Sequence, residues 1–308
     1  MSFISIFCVL VLEQLKPSPI GHVRAMQAAY AGFLERHFNG GERRHGISAW
    51  GIGVGLPALL VLLLQWLLDY IHPLLGFVLD VAVLYLAMGF RQFSHYFTDT
   101  QIALRMGELD RARALLAEWR GHSTERLGSA DIARLSIEQG ILSSHRHVFA
   151  PLFWFILLGP AGAVLYRLAA FKQEHWSALA AVPGEQNHFA RFAQEAFEML
   201  DWLPARLTAI TFAVVGDFED AIYCWRSQSD QWPDASSGIL LSSGAGALGV
   251  RLGLPLPDVV GVDVRPELGL GDEADVEHLQ SAIGLVWRAL VLCLLLLILL
   301  SIASWVGA

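Results

Sequence analysis

APLFWFILLGPAGAVLYR, residues 150–167, is the stretch of this sequence that decides the fold class. The chain is apolar over 148–170 except at Tyr166 and Arg167, which is long enough for a helix to cross a bilayer. The pair Gly159-Pro160 interrupts it near the middle, and a proline lacks the backbone N–H that a helix needs. In hydrocarbon, the freed backbone groups need partners within the protein. The break therefore predicts either a packing kink between helices or part of a polar cavity at membrane depth.

The composition supports a membrane protein. Of 308 residues, 55% are hydrophobic and only 16% are charged, which is unusual for a soluble domain. The net charge of −8 and the lack of a basic run exclude a nucleic-acid binder as the expected class. Three scattered cysteines do not make a disulfide framework or a zinc site, so no metal site is predicted.

The fold class that follows is all-α, a polytopic integral membrane protein. We expect about five to six transmembrane or membrane-embedded helices plus cytoplasmic helices. The sequence is interpreted as a single membrane domain over 1–308, with extramembrane helical segments at about 16–46, 91–147 and 217–285. The predicted spans are a short first helix at 3–15, a hairpin of 47–68 and 74–90, the interrupted span, an uncertain span at 203–216, and 286–306.

Lysine and arginine in the short loops indicate the orientation. Segment 16–46 is rich in basic residues, whereas the turn 69–73 has no lysine or arginine, so 16–46 and 91–147 are placed in the cytoplasm. The expected location is the bacterial inner membrane, with several passes. Within 91–147, helices are predicted at 109–119 and from a cap at Ser129–Asp131.

Two groups of polar side chains flank the predicted spans. Arg91, His95 and Asp99 fall four residues apart, so a helix would present them as one stripe. The stripe predicts either a ligand or phosphate site or an interfacial helix that meets water and headgroups. His145 and Arg146 open the interrupted span and predict either an anion-binding cluster or a basic membrane-edge anchor.

Further along the chain, Arg167 ends the interrupted span, and Asp201 and Arg206 open the next one. Pro204 suits a first helical turn, and Asp201 suits the positive end of a helix there, paired with Arg206 or Arg167. We expect these residues to share one polar ligand-binding surface with the two groups above.

A glycine motif follows at residues 244–249, where Gly244, Gly246 and Gly249 match G-x-G-x-x-G before Arg251. No strand–turn–helix context surrounds the motif, so it does not indicate a dinucleotide fold. The glycines permit close approach of a neighbouring helix or of a ligand, and Arg251 would suit an anion.

These blocks, in this order, resemble the CobD/CbiB membrane family of cobalamin biosynthesis. The matching blocks are residues 150–154, 159–167, 203–209 and 244–253, with a weaker match at 19–23. The resemblance implies adenosylcobinamide-phosphate synthesis, an ATP-dependent amide bond between adenosylcobyric acid and aminopropanol or its phosphate. It also implies ATP and Mg²⁺ as cofactors, although the residues themselves show none, and a corrinoid held at the cytoplasmic face.

The chain departs from the family at its acidic motifs. Residues 142–147 read LSSHRH where the family has a pattern like E-N-x-x-D-G, and 170–173 read AFKQ where it continues toward N-T-L-D. The opening G-D-P signature is also missing around 13–17. Carboxylates of this kind would hold Mg²⁺–ATP or activate an amine, so the sequence leaves catalytic activity open.

An alternative resemblance is to AmpE, a non-enzymatic inner-membrane modulator of β-lactamase induction or cell-wall signalling. AmpE-like proteins share the A-P-L-F-W and D-W-x-P-x-R-L blocks. The expected partners are membrane lipids and either a corrinoid or a muropeptide-type small molecule, with no nucleic acid. Assembly into a homo-oligomer is left open.

Overall fold

The computed structural model describes residues 2–15, 20–180, 188–255 and 265–306, and nearly all of them are helical, which confirms the all-α prediction. The helices are α1 (Ser2–Leu15), α2 (Ile20–Phe38), α3 (Arg43–Trp50), α4 (Leu56–Ile71), α5 (Pro73–Ala87), α6 (Phe90–Arg105), α7 (Leu109–Arg120), α8 (Ser129–Ser144), α9 (Ala150–Leu158), α10 (Pro160–Ala180), α11 (His188–Val215), α12 (Phe218–Gln228), α13 (Ala235–Leu248) and α14 (Val276–Val306).

Short elements complete the helical chain. π-helical turns at Gly51–Gly55 and His145–Phe149 join α3 to α4 and α8 to α9, and Ser229–Gln231 is a 3₁₀ turn. Two-residue strands, β1 (Val250–Arg251) and β2 (Asp272–Glu273), pair in parallel.

The chain divides into two compact units. The first comprises Met1–Gly89 and Arg146–Pro204, and the second comprises Phe90–His145 and Ala205–Ala308. The prediction of a single membrane domain remains a prediction.

In the first unit, α10 packs against α2, α4, α5 and α9, and α1 and α4 pack on α5. The predicted hairpin of two spans is therefore present as α4 and α5, which meet at His72. The imidazole of His72 accepts a hydrogen bond from the Leu74 backbone N–H at 3.2 Å and thereby caps α5. A buried cluster lies beside α10 and comprises Val54, Ala150, Tyr166, Ala169 and Phe197.

The interruption predicted at Gly159-Pro160 is a tight helical hairpin. Gly159 has φ +64° and ψ −154°, a conformation that only glycine adopts without strain. A Cβ built on Gly162 would lie 2.1 Å from the carbonyl oxygen of Trp154, eight residues earlier. Those residues would be about 12 Å apart along a straight helix. The chain therefore reverses here, so α9 and α10 pack side by side.

Helix α11 corrects the prediction that Pro204 lies in a first helical turn. The helix begins at His188, and Pro204 lies inside it. A proline at this position cannot bond to the carbonyl of Leu200. The indole N–H of Trp154 donates to that carbonyl at 3.3 Å instead. The side chain thus replaces the missing backbone donor, and Asp201 lies in mid-helix rather than at a positive helix end.

In the second unit, α8 packs against α6, α13 and α14, and α12 packs against α13. The predicted helix at 109–119 is α7, which ends at Gly121 in the left-handed conformation. The cap predicted at Ser129 lies one residue earlier, because the Asp131 carboxylate accepts a hydrogen bond from the Gly128 N–H at 3.2 Å.

Among the described residues, three helices are long and apolar enough to span a membrane, namely Arg43–Ile71, Ser129–Leu158 and Val276–Ala303. The first and third correspond to predicted spans at 47–68 and 286–306. The second joins α8 to α9 and begins inside the segment that the sequence placed outside the membrane. Shorter apolar helices lie at Ile4–Glu13, Pro73–Ala87 and Ala235–Leu248.

Candidate functional site

The strongest polar cluster of the first unit surrounds Tyr166. Its hydroxyl donates to a carboxylate oxygen of Asp201 at 2.7 Å, and both side chains are buried. The guanidinium of Arg167 donates to the backbone carbonyl of Arg146 at 3.3 Å. The guanidinium of Arg146 lies 6.0 Å from the ring centre of Phe197, which in turn lies 5.6 Å from the Tyr166 ring. We call these five residues the tyrosine–arginine cluster.

The cluster brings together three residues that the sequence singled out, Arg146, Arg167 and Asp201. It also contains Tyr166, to which the sequence assigned no role. The sequence predicted Arg206 or Arg167 as the partner of Asp201, and in the structure the Tyr166 hydroxyl donates to this carboxylate. Two guanidinium groups beside a buried carboxylate can bind a carboxylate or phosphate group and fix its orientation.

Two further predicted residues lie in the second unit. The buried imidazole of His145 has its Nδ1 3.0 Å from the Thr208 hydroxyl. Its burial excludes the membrane-edge anchor interpretation for this histidine. Arg206 is partly buried two residues before Thr208. Thr208, on α11, was not predicted to contact this histidine.

The predicted stripe on α6 is confirmed in part. His95 Nδ1 lies 3.3 Å from the Asp99 carboxylate, and His95 is largely exposed. Arg91 belongs to the same helix, but its side chain lies outside what the structure describes. The spacing is therefore helical, and a ligand role for this stripe remains a prediction.

Two glycines of the G-x-G-x-x-G motif, Gly244 and Gly246, lie against neighbouring helices. A Cβ on Gly244 would lie 2.7 Å from the Ile141 side chain, and one on Gly246 would lie 2.5 Å from the Asp220 carbonyl oxygen. Gly249 has φ +67° and ends α13. Gly244 and Gly246 permit α8, α12 and α13 to pack closely, which is one of the two roles predicted for the motif.

Arg251 follows the motif, at the end of β1. Its guanidinium lies 3.4 Å from the Glu267 carboxylate, and both side chains are nearly half exposed. An exposed ion pair of this kind adds little stability. Binding of an anion by Arg251 remains a prediction.

Ionisable residues inside α8 are the largest group that the sequence did not single out. Arg134 and Glu138 are both buried, and Glu138 binds Arg265. A buried Lys172 was noted in the sequence only as a departure from the family. The available signal was the presence of charged residues in otherwise apolar helices, where ionisable groups are rare and often functional.

No group of three or more histidine, cysteine or acidic side chains placed to hold a metal ion occurs within the described ranges. The tyrosine–arginine cluster offers Asp201 as its single carboxylate. The positions of the family's acidic motif hold Leu142, Ser143 and Arg146. This donor set does not fit a protein-bound Mg²⁺, which prefers carboxylate oxygens.

The family profile described as CobD/Cbib protein matches residues 9–286. Cobalamin biosynthesis protein CobD of Stutzerimonas stutzeri is 35% identical over 305 residues, covering 96% of this chain and 97% of that protein. Cobalamin biosynthesis protein CobD of Chromobacterium violaceum is 37% identical over 236 residues, with 73% of each chain covered.

A third relative, cobalamin biosynthesis protein CbiB of Salmonella typhimurium, is 26% identical over 266 residues, covering 82% of this chain and 77% of that protein. No solved structure matches the chain. None of these findings supports the AmpE alternative. With a family profile over residues 9–286 and a relative of 35% identity along nearly its whole length, this chain belongs to the CobD/CbiB family.

Proposed function

We propose that this protein acts in cobalamin biosynthesis, joining an aminopropanol or aminopropanol phosphate arm to adenosylcobyric acid. The observation that carries the proposal is the relative named cobalamin biosynthesis protein CobD, which aligns with 96% of this chain. Substrate class and reaction type follow from the family resemblance.

The tyrosine–arginine cluster supports this function through its chemistry. Adenosylcobyric acid offers a carboxyl group for amide formation, and the arm offers an amine and, in its phosphorylated form, a phosphate. Arg146 and Arg167 would bind an oxyanion of either substrate and hold it in place. Asp201, buried and hydrogen-bonded to Tyr166, would accept a proton from the attacking amine.

ATP and Mg²⁺ belong to the proposal only through the family resemblance. Since the described residues do not fit a protein-bound Mg²⁺, no step is assigned to the metal. Residues 142–147 contain no carboxylate, so Asp201 is the acidic residue of the tyrosine–arginine cluster. A variant without that carboxylate is therefore the sharpest probe of activity.

The membrane setting is part of the same proposal. Three helices in the described part of the chain have the length and composition of membrane spans. We place the protein in the bacterial inner membrane with several passes, in contact with lipid and with a corrinoid substrate at the cytoplasmic face. Self-association is left to measurement.

The proposal is tested by complementation of a strain that lacks its own CobD/CbiB protein. The wild-type chain should restore adenosylcobinamide phosphate and cobalamin, measured by liquid chromatography with mass spectrometry. Asp201→Asn and Arg167→Gln should let adenosylcobyric acid accumulate. As a matched control, Arg191→Gln changes an arginine that is exposed and bound to Glu195.

Two outcomes would contradict the proposed function. One is normal cobalamin output in the native organism after deletion of this gene, provided that no second synthase is present. The other is failure of the wild-type chain to change the corrinoid profile despite normal membrane levels.

A further inference from the structure

The turn of α11 that carries Asp201 lacks one backbone hydrogen bond. In a regular helix the N–H of residue 204 would donate to the carbonyl of Leu200, but Pro204 has no N–H. The proline ring also crowds that carbonyl and pushes it out of line with the helix. Asp201 directly follows Leu200 and is buried. The proton acceptor of the proposed function therefore lies where the helix is easiest to bend.

Trp154 supplies the missing donor from another helix. Its indole N–H donates to the Leu200 carbonyl at 3.3 Å, across 46 residues of sequence. The backbone of Trp154 is itself held by α10, because a Cβ on Gly162 would lie 2.1 Å from the Trp154 carbonyl oxygen. Only a residue without a side chain permits so close an approach. The contact of α9 with α10 thus fixes the place from which the indole reaches α11.

Three helices form a closed frame around Asp201. Helix α9 contributes Trp154, and α10 contributes Gly162 and, one turn later on the same face, Tyr166. The Tyr166 hydroxyl donates to Oδ1 of Asp201 at 2.7 Å. Asp201 is therefore held by one hydrogen bond on its side chain and by a second on the carbonyl of the residue before it. All of these residues belong to the first unit.

The rest of the tyrosine–arginine cluster does not depend on the proline turn. Phe197, one turn before Asp201, packs on the Tyr166 ring and supports α11 ahead of the break. Arg146 lies in the π-helical turn before α9, and Arg167 lies on α10. Loss of the Trp154 hydrogen bond would thus release Asp201 while leaving both guanidinium groups in place.

We propose that Trp154 is a positioning residue for the reaction, holding the proline turn of α11 so that Asp201 stays beside Tyr166 and accepts the proton of the attacking amine. This role rests on the proposed function, in which Asp201 is the proton acceptor. A misplacement of about 1 Å can lower the rate of an enzyme about 100-fold, because proton transfer requires the two groups to be aligned. Trp154 acts through the Leu200 carbonyl and not by contact with a substrate.

Steady-state kinetics of the full chain in phosphatidylcholine nanodiscs tests the catalytic part of this role. The substrates are adenosylcobyric acid and aminopropanol phosphate with ATP and Mg²⁺, and mass spectrometry measures the amide. Trp154→Phe should lower kcat at least about tenfold and change the KM for the amine less than about twofold, because the oxyanion-binding arginines keep their positions. Trp154→His should recover most of kcat, because histidine Nε2 has the same ring position as the indole nitrogen. Trp66→Phe is the matched control, since Trp66 is 71% exposed on α4.

Hydrogen exchange measured by mass spectrometry tests the positioning part without any substrate. Backbone amides over residues 198–206 should exchange at least about fivefold faster in Trp154→Phe than in the wild-type protein, because the turn opens more often. Trp66→Phe should leave this exchange unchanged, and Trp154→His should bring it back toward wild type. Both assays are run well below the melting temperature of every variant, so loss of folded protein does not contribute.

Three outcomes separate this role from its alternatives. Unchanged exchange over 198–206 in Trp154→Phe, or a kcat equal to that of Trp66→Phe, would overturn it. A Trp154→Phe variant whose KM rises while kcat stays constant would also overturn it, because that pattern belongs to a binding residue. Faster exchange in Trp154→Phe, with no amide formed by the wild-type chain, would contradict the proposed function and leave Trp154 as the residue that holds Asp201 in place.

Discussion

The hydrogen bond between Tyr166 and Asp201 is the central contact of the tyrosine–arginine cluster. Tyr166→Phe keeps the ring in its buried position but removes the hydroxyl that Asp201 accepts from. We expect a loss of about 1–3 kcal/mol in stability, because a buried carboxylate loses a donor. Tyr223→Phe serves as the control, since Tyr223 is 58% exposed. Thermal unfolding in detergent measures the difference, and equal stability of the two variants would contradict a structural role for the hydroxyl.

The burial of Lys172 has a measurable cost in stability. It is 1% exposed, and its ammonium has no hydrogen-bond partner among the described residues. The ammonium lies 4.4 Å from the ring centre of Tyr30 and 5.4 Å from that of Trp176. An unpaired buried charge costs several kcal/mol, whereas a desolvated cation–π contact returns about 2 kcal/mol. Lys172→Met roughly keeps the length of the side chain and removes its charge, so we expect a higher free energy of unfolding.

The same thermal assay checks the Lys172 prediction. A melting temperature of Lys172→Met at or above wild type supports the estimate. A drop in the melting temperature would mean that the two aromatic contacts outweigh the desolvation of the ammonium. Gly53 is not substituted in these experiments. A Cβ at this position would lie 3.1 Å from the Lys172 side chain and would crowd residue 172.

Residue roles could be predicted only where the pattern is local. His95 and Asp99 are one turn apart, and their contact follows from helical spacing. Tyr166 and Asp201 are separated by 35 residues, and Glu138 and Arg265 by 127. Contacts of this kind depend on how helices pack, which the identity of one residue does not reveal.

At the scale of elements, α11 shows how a proline is accommodated inside a long helix. Because Pro204 has no backbone N–H, the Leu200 carbonyl lacks its helical donor, and the Trp154 indole N–H donates to it instead. Trp154→Phe should cost about 1 kcal/mol in the wild-type protein, as expected for one lost hydrogen bond. In a Pro204→Ala background, the restored backbone N–H would donate to the Leu200 carbonyl. Trp154→Phe should then lower the free energy of unfolding much less.

A double-mutant cycle of these two substitutions measures the coupling. Chemical or thermal unfolding of the four proteins gives the interaction free energy directly. Equal cost of Trp154→Phe in both backgrounds would show that the indole does not replace the backbone donor.

The elements themselves were largely predictable, with two instructive exceptions. Gly159-Pro160 indicated a break in the helix, but a glycine–proline pair suits a kink as well as a reversal of the chain. The close approach of Gly162 to Trp154 shows that the chain reverses. Pro204 suggested a helix start because prolines favour first turns. A tryptophan from another helix changed that outcome, and no local pattern contains this information.

At the scale of the whole molecule, the apolar surface explains the composition. Many large apolar side chains of α4 and α14 are exposed, among them Leu63, Trp66, Leu296 and Leu300. Water would penalise such a surface, whereas lipid accommodates it. Composition and hydropathy therefore predicted the membrane class well. The extramembrane location of segment 91–147 stays a prediction, although Ser129–Leu158 has the length and composition of a membrane span.

The path of α8 and α9 across the membrane is the prediction that tests this organisation. Ser129–Leu158 contains 30 residues, about 45 Å of helix, which is enough to cross the hydrocarbon core. Gly128 and Gly159 flank its ends, so reporters fused after them should lie on opposite sides. We expect green fluorescent protein to fluoresce after Gly128, and alkaline phosphatase to be active after Gly159 and after Tyr70, which lies at the end of the Arg43–Ile71 span. Phosphatase activity after Gly128 and Gly159 alike would mean that this helix is buried in the protein without crossing the bilayer, and cytoplasmic Tyr70 would reverse the orientation.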